Sequence, residues 1–126
     1  MKGLNDLERA VMHMLLSGEH PALATLREQA DRSRLREREA TGVGFYCHFD
    51  VPEDAPVVEH ATDFEIGDVN GQIQGLVHGA GFVLFIRGGR IDFLEGFSYD
   101  EPWPDHIGEF VLSYQGGSRD LPVAEG

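Results

Sequence analysis

The segment Phe82-Val83-Leu84-Phe85-Ile86-Arg87, Gly88-Gly89, Arg90-Ile91-Asp92-Phe93-Leu94-Glu95 constrains this chain more than any other. Two runs rich in β-branched and aromatic residues flank two glycines, which supply the positive φ values that a tight primed turn needs. The spacing predicts an antiparallel hairpin whose loop length sets the register. Arg87 then opposes Arg90, Ile86 opposes Ile91, Phe85 opposes Asp92, Leu84 opposes Phe93, Val83 opposes Leu94 and Phe82 opposes Glu95. One face carries Phe82, Leu84, Ile86, Ile91 and Phe93, with Glu95 turned toward its end; the other carries Val83, Phe85 and Leu94. A carboxylate on an apolar face must be paired, neutralised or close enough to an edge to reach water. Glu95 is therefore either an edge residue or a polar group in a ligand pocket, where His48 and His78 are the other candidates.

More strands follow from alternation. Val43, Phe45, Cys47, Phe49 and Val51 alternate with Gly44, Tyr46, His48 and Asp50, the period-two pattern of a half-buried strand. Two prolines between Pro52 and Pro56 end it, and Val57 to Ala61 reads as a short strand or an extended connection. Phe64 to Val69 and Gln72 to His78 read as two strands around Asn70-Gly71, a hairpin-turn dipeptide. Glu109 to Tyr114 is the last strand, and residues 116–126 are expected to form a flexible tail unless Leu121-Pro122-Val123 docks.

The N-terminal part has a helical period instead. Leu4, Leu7, Val11 and Leu15 form one apolar stripe, Asn5 and Glu8 have the spacing of a capping box, and Gly18 offers a C-cap. A second helix is expected to start at Pro21 and run through Leu23, Leu26, Ala30 and Leu35 to Gly42. Its second half, Arg27 to Glu39, is mostly Arg and Glu, and predicts a solvated face with pairs such as Glu28 with Arg32 and Asp31 with Arg34. The expected class is α+β: one domain over 1–126, with a helical pair packed on a mainly antiparallel sheet.

Charge bounds the partners. The net charge is −12, and Met1 to Phe49 holds seven acidic and seven basic residues, so the whole excess lies from Asp50 onward. Such a field repels nucleic acid and anionic membranes and attracts basic protein surfaces, although solubility alone also accounts for it. A single cysteine, Cys47, forms no internal disulfide, and no apolar run has the length of a membrane span or the form of a secretory leader. A cytoplasmic location is the expectation, while oligomeric state stays open.

Six histidines occur without Cys-x-x-Cys, His-Glu-x-x-His or calcium-loop spacing, so neither metal nor cofactor is expected; His48 with Asp50 is the nearest pair. Cys47 alternates with apolar residues and reads as a buried structural thiol. No catalytic residue is assigned. Asp100, Glu101 and Asp105 bracket Trp103 in a loop stiffened by Pro102 and Pro104, which gives a candidate partner-binding loop or a lid over the core. The run from Gly81-Phe82-Val83-Leu84-Phe85 through Leu94-Glu95-Gly96-Phe97-Ser98-Tyr99 to Trp103-Pro104 resembles a pattern in small, poorly characterised bacterial α+β proteins. More loosely, it resembles the ends of some bacterial toxin-immunity proteins. The resemblance covers about a fifth of the chain, and its residues are mostly structural. It implies a sheet and, at most, an immunity-like protein that binds a basic partner. The competing expectation is a small-ligand-binding domain or hydrolytic enzyme with a polar pocket.

Overall fold

A computed structural model describes residues 1–60 and 62–115, and it is an α+β fold. Two helices, α1 (Asp6–Leu15) and α2 (Pro21–Arg32), pack on one face of a six-stranded antiparallel sheet. The strands are β1 (Arg34–Ala40), β2 (Gly44–Asp50), β3 (Phe64–Ile73), β4 (Ala80–Arg87), β5 (Arg90–Ser98) and β6 (Phe110–Tyr114), in the spatial order β1-β2-β5-β4-β3-β6. The expected tail, including Leu121-Pro122-Val123, lies outside the described residues, as does Ala61 at the end of the 57–61 connection. No described helix is long and apolar enough to cross a membrane.

The first helix starts as its sequence predicts. The Asn5 side chain accepts from the Glu8 amide at 2.9 Å, and Glu8 Oε1 accepts from the Asn5 amide at 3.0 Å, so two otherwise orphaned donors are satisfied reciprocally. Its apolar stripe, Leu7, Val11 and Leu15, faces the sheet. Gly18 is not the C-cap; Leu16 is, and Arg27 of α2 donates to the Leu16 and Gly18 carbonyls at 2.6 and 3.0 Å.

The second helix ends at Arg32, well before the stop expected at Gly42. Ser33 has extended backbone, and the charged run after it becomes strand β1 on the edge of the sheet. Without this strand, the outer edge of β2, whose Phe45, Cys47 and Phe49 belong to the core, would lie open to aggregation; a charged edge strand closes it safely. The intrahelical pairs Glu28 with Arg32 and Asp31 with Arg34 give way to long-range ones. Arg32 bonds Asp54 at 2.7 Å, and Arg34 and Arg36 approach Asp50 at 3.8 and 3.7 Å. Arg38 reaches the other way, to Glu8 beneath α1.

Asn70-Gly71 is not a turn. Both residues continue β3 and are paired on two sides, with Gly81 and Ala80 of β4 and with Ser113 and Leu112 of β6. Reversal is delayed to a loop in which Gly75 and Gly79 have φ of 101° and 74°. Only Gln72 and Ile73 of the expected Gln72–His78 strand are extended in the sheet, so His78 sits in the loop.

The hairpin between β4 and β5 forms at the predicted glycines, with φ of 59° at Gly88 and 74° at Gly89, and Arg87 opposes Arg90. Beyond Ile86 opposite Ile91, the register departs from expectation. Phe85 opposes Phe93, leaving Asp92 as the extra residue of a β-bulge. Leu94 is thereby fully buried on the helix side, whereas Phe93 and Glu95 turn to the opposite face. The physical reason is plain: unbulged pairing would bury a carboxylate and expose a leucine. Asp92 also gains Arg87, whose Nε lies 3.1 Å from its carboxylate and relieves the like-charged pair at the hairpin tip.

Candidate functional site

The two sheet faces differ in what covers them. On the helix side, Phe45, Phe49, Ile66, Phe82, Leu84, Ile86 and Leu94 join the helical stripes in one core. On the outer side, alternation brings Tyr46 and His48 of β2, Phe93, Glu95 and Phe97 of β5, and Val83 and Phe85 of β4 together, all only partly buried. Phe85 stacks on Phe93 with ring centroids 4.3 Å apart, and Tyr46 meets Phe93 edge-on at 5.7 Å. His48 lies 5.8 Å from Phe93 and 6.2 Å from Tyr46. Phe97 lies against the backbone of Gly81, where any Cβ would come within 2.6 Å of its ring, and Tyr99 packs edge-on against it at 5.6 Å. The result is an aromatic surface on a sheet face that neither described helix covers.

Charges interleave with these rings. Arg87 is held by Asp92, and its Cζ lies 5.9 Å from the centre of the Phe93 ring. His48 Nε2 is 3.4 Å from Glu39, and Asp50 has Arg34 and Arg36. Glu95 stands directly opposite Tyr46 on one side and Val83 on the other, with Phe93 and Phe97 two residues away along its own strand. Its negative charge raises the Tyr46 phenol above the ordinary tyrosine pKa, with lost solvation contributing less. No Lys, Arg or His pairs with Glu95 among the described residues.

The candidate pocket residues therefore separate. Glu95 and His48 share the outer face with Tyr46 and Phe93 between them, but His78 lies in the exposed β3–β4 loop. A hollow of about 220 Å³ exists elsewhere, between α1 and α2, floored by Leu4, Met12 and Leu16 and rimmed by Arg9, His13 and Arg27. None of the three candidates lines it. Among the described residues, no group of three or more His, Cys, Asp or Glu side chains has the arrangement to hold a metal ion.

The Asp100–Asp105 loop divides in a similar way. Glu101 accepts from the Val77 and His78 amides, at 2.8 Å each, and these bonds lower its pKa. Their contribution is present above the unfolded pKa of a glutamate and is lost as pH falls through the depressed folded value. The Trp103 amide donates to the Gly42 carbonyl at 2.9 Å, and its half-buried indole packs edge-on against Phe45 at 5.5 Å. Phe45 belongs to the helix side, so the indole lies on the face opposite the aromatic surface. Asp100 and Asp105 are exposed.

Two buried polar arrangements have long-range partners that the local sequence does not signal. Glu8, 1% exposed, receives the Arg38 guanidinium through Nε at 2.7 Å and a second nitrogen at 2.5 Å. Cys47 lies beside this pair, and burial pushes its thiol up to about 12, with the Glu8 charge adding to the shift and Arg38 opposing it. The folded protein should therefore react slowly with a thiol reagent at neutral pH and become reactive on unfolding. Above about pH 8.5, the unfolded thiol ionises while the folded one keeps its proton, so stability should fall toward pH 12. Cys47→Ser should flatten that decline, as urea midpoints taken at several pH values would reveal.

Gln29 forms the other arrangement. Fully buried at the end of α2, it donates to the Pro56 and Gly89 carbonyls, both at 2.8 Å, and accepts from the Ile91 amide at 3.0 Å. One side chain thus ties the helix layer, the 52–58 segment and the hairpin tip. Only its spacing beside Leu26 on the apolar face of α2 hinted at burial.

No protein-family model matches the chain, and no curated protein or solved structure is significantly similar to it.

Proposed function

We propose that this chain is a non-enzymatic interaction protein that binds a basic protein through the outer face of its sheet. The observation that carries the reading is the contrast between the faces: α1 and α2 pack on one, while the other carries the partly buried Tyr46, Phe85, Phe93 and Phe97 and the exposed Tyr99 among charged side chains of both signs. Aromatic side chains offer large contact areas at little entropic cost, and the net charge of −12 supplies long-range attraction to a basic surface. A second copy of this chain is a poor occupant, because both molecules would carry the same excess charge. Immunity toward a basic toxin is one concrete form of the reading, in keeping with the resemblance of the Leu94–Pro104 region. Asp100 and Asp105 then serve as rim charges, and Trp103 as a wedge at the edge of the core.

An enzymatic or small-ligand reading would need Glu95, His48 and His78 to converge on one concavity, and their placement on a sheet face and a separate loop gives it no support. The test is kinetic. With a partner recovered from the source cell, added salt should slow association, and Tyr46→Ala with Phe93→Ala should speed dissociation by about tenfold or more. Trp103→Ala should instead lower stability with little change in dissociation. Salt-insensitive binding, or binding indifferent to the Tyr46 and Phe93 changes, would count against the proposal.

A further inference from the structure

We propose that Glu95 is a seat for an arginine side chain of the partner, an inference that rests on the protein-binding reading above and specifies its chemistry. A carboxylate framed by Tyr46, Val83, Phe93 and Phe97 is set in less polar surroundings than an ordinary surface glutamate. The Tyr46 phenol interacts with the partly buried Glu95 carboxylate, but Glu95 has no cationic partner among the described residues, while Asp50 and Asp92 on the same face each have arginine.

The face already contains a template for what would complete it. Arg87 is gripped by the Asp92 carboxylate while its guanidinium approaches the Phe93 ring. Phe93 is shared: Arg87 and Asp92 lie toward one side along β5, and Glu95 lies toward the other. A second guanidinium bound at Glu95 would repeat the same combination of carboxylate and aromatic ring, with Phe97 and Tyr46 as further walls. This geometry favours arginine over lysine. A guanidinium is planar, stacks on rings and is weakly hydrated, whereas an ammonium gives up more hydration to enter aromatic surroundings and cannot stack.

Fluorescence anisotropy with dye-labelled peptides tests the seat on the full chain. One peptide carries six arginines spaced by Gly-Ser, and its counterpart carries six lysines at the same positions. The arginine peptide should bind about fivefold or more tightly than the lysine peptide. Glu95→Gln should erase that preference, whereas Glu19→Gln, the same charge change at an exposed site between the helices, should weaken both peptides equally and slightly. Near-ultraviolet circular dichroism confirms that each variant keeps its packing. Equal affinity for the two peptides overturns the arginine seat, and so does a preference that survives Glu95→Gln or the absence of binding by either peptide. Each of those outcomes leaves the broader protein-binding reading to be decided by where a native partner crosslinks.

Discussion

Replacing Gly89 with valine is expected to destabilise the fold by about 3 kcal/mol or more, lowering the thermal midpoint by about 10 °C or more. Two effects add. Gly89 has φ of 74°, where a β-branched residue is strained, and a Cβ there would come within 2.4 Å of the Val58 carbonyl oxygen. The contact cannot relax cheaply, because the Val58 amide donates to the Gly89 carbonyl at 3.0 Å and holds the two backbones together. Gly88 is the internal control. It too has positive φ, 59°, but nothing lies within 4 Å of its Cβ position, so Gly88→Asn should cost about 1 kcal/mol or less. Equal midpoints for the two variants would mean that the 52–58 segment does not clamp the hairpin tip.

Gln29→Leu is expected to cost about 3 kcal/mol, although it keeps a similar volume and adds apolar character to a fully buried site. The loss arises because the Pro56 carbonyl and the Ile91 amide each lose their bond to Gln29, and the Gly89 carbonyl loses one of its two donors. Chemical denaturation measures this directly, and a cost below about 1 kcal/mol would remove Gln29 from the account. Since Gln29 and Gly89 share a hydrogen bond, the double variant should be less destabilised than the two single costs together imply.

These two residues mark the boundary of what the sequence discloses. The Gly88-Gly89 turn, the Asn5 and Glu8 capping box and the alternation of β2 are local patterns, so each is legible from a few adjacent residues. Strand β1 is not, because Arg34 to Ala40 has helical composition and becomes extended only to complete the edge beside β2 and to meet Asp50 and Glu8. Asn70-Gly71 misleads for a similar reason: pairing on both sides outweighs its local preference for a turn. The bulge at Asp92 is the costliest miss for the site. A single extra residue sends Glu95 from the core side to the outer face, changing it from a pocket candidate into a surface carboxylate ringed by aromatic side chains. His48 and Glu95 were identifiable as polar residues on strands, but their meeting with Tyr46 and Phe93 depends on the order β2-β5-β4, which no local pattern encodes.

The proposed interface for a basic protein is the outer sheet face, not the helical face. A photoreactive benzophenone side chain at position 46, on the aromatic face, or at position 24, on the exposed side of α2, tests it in the source cell. Position 46 should crosslink to a basic protein, with a yield that falls as salt is added when the crosslinking is repeated in a lysate, and position 24 should give no such product. Crosslinking from position 24 alone, or from position 46 only to acidic proteins, would contradict it.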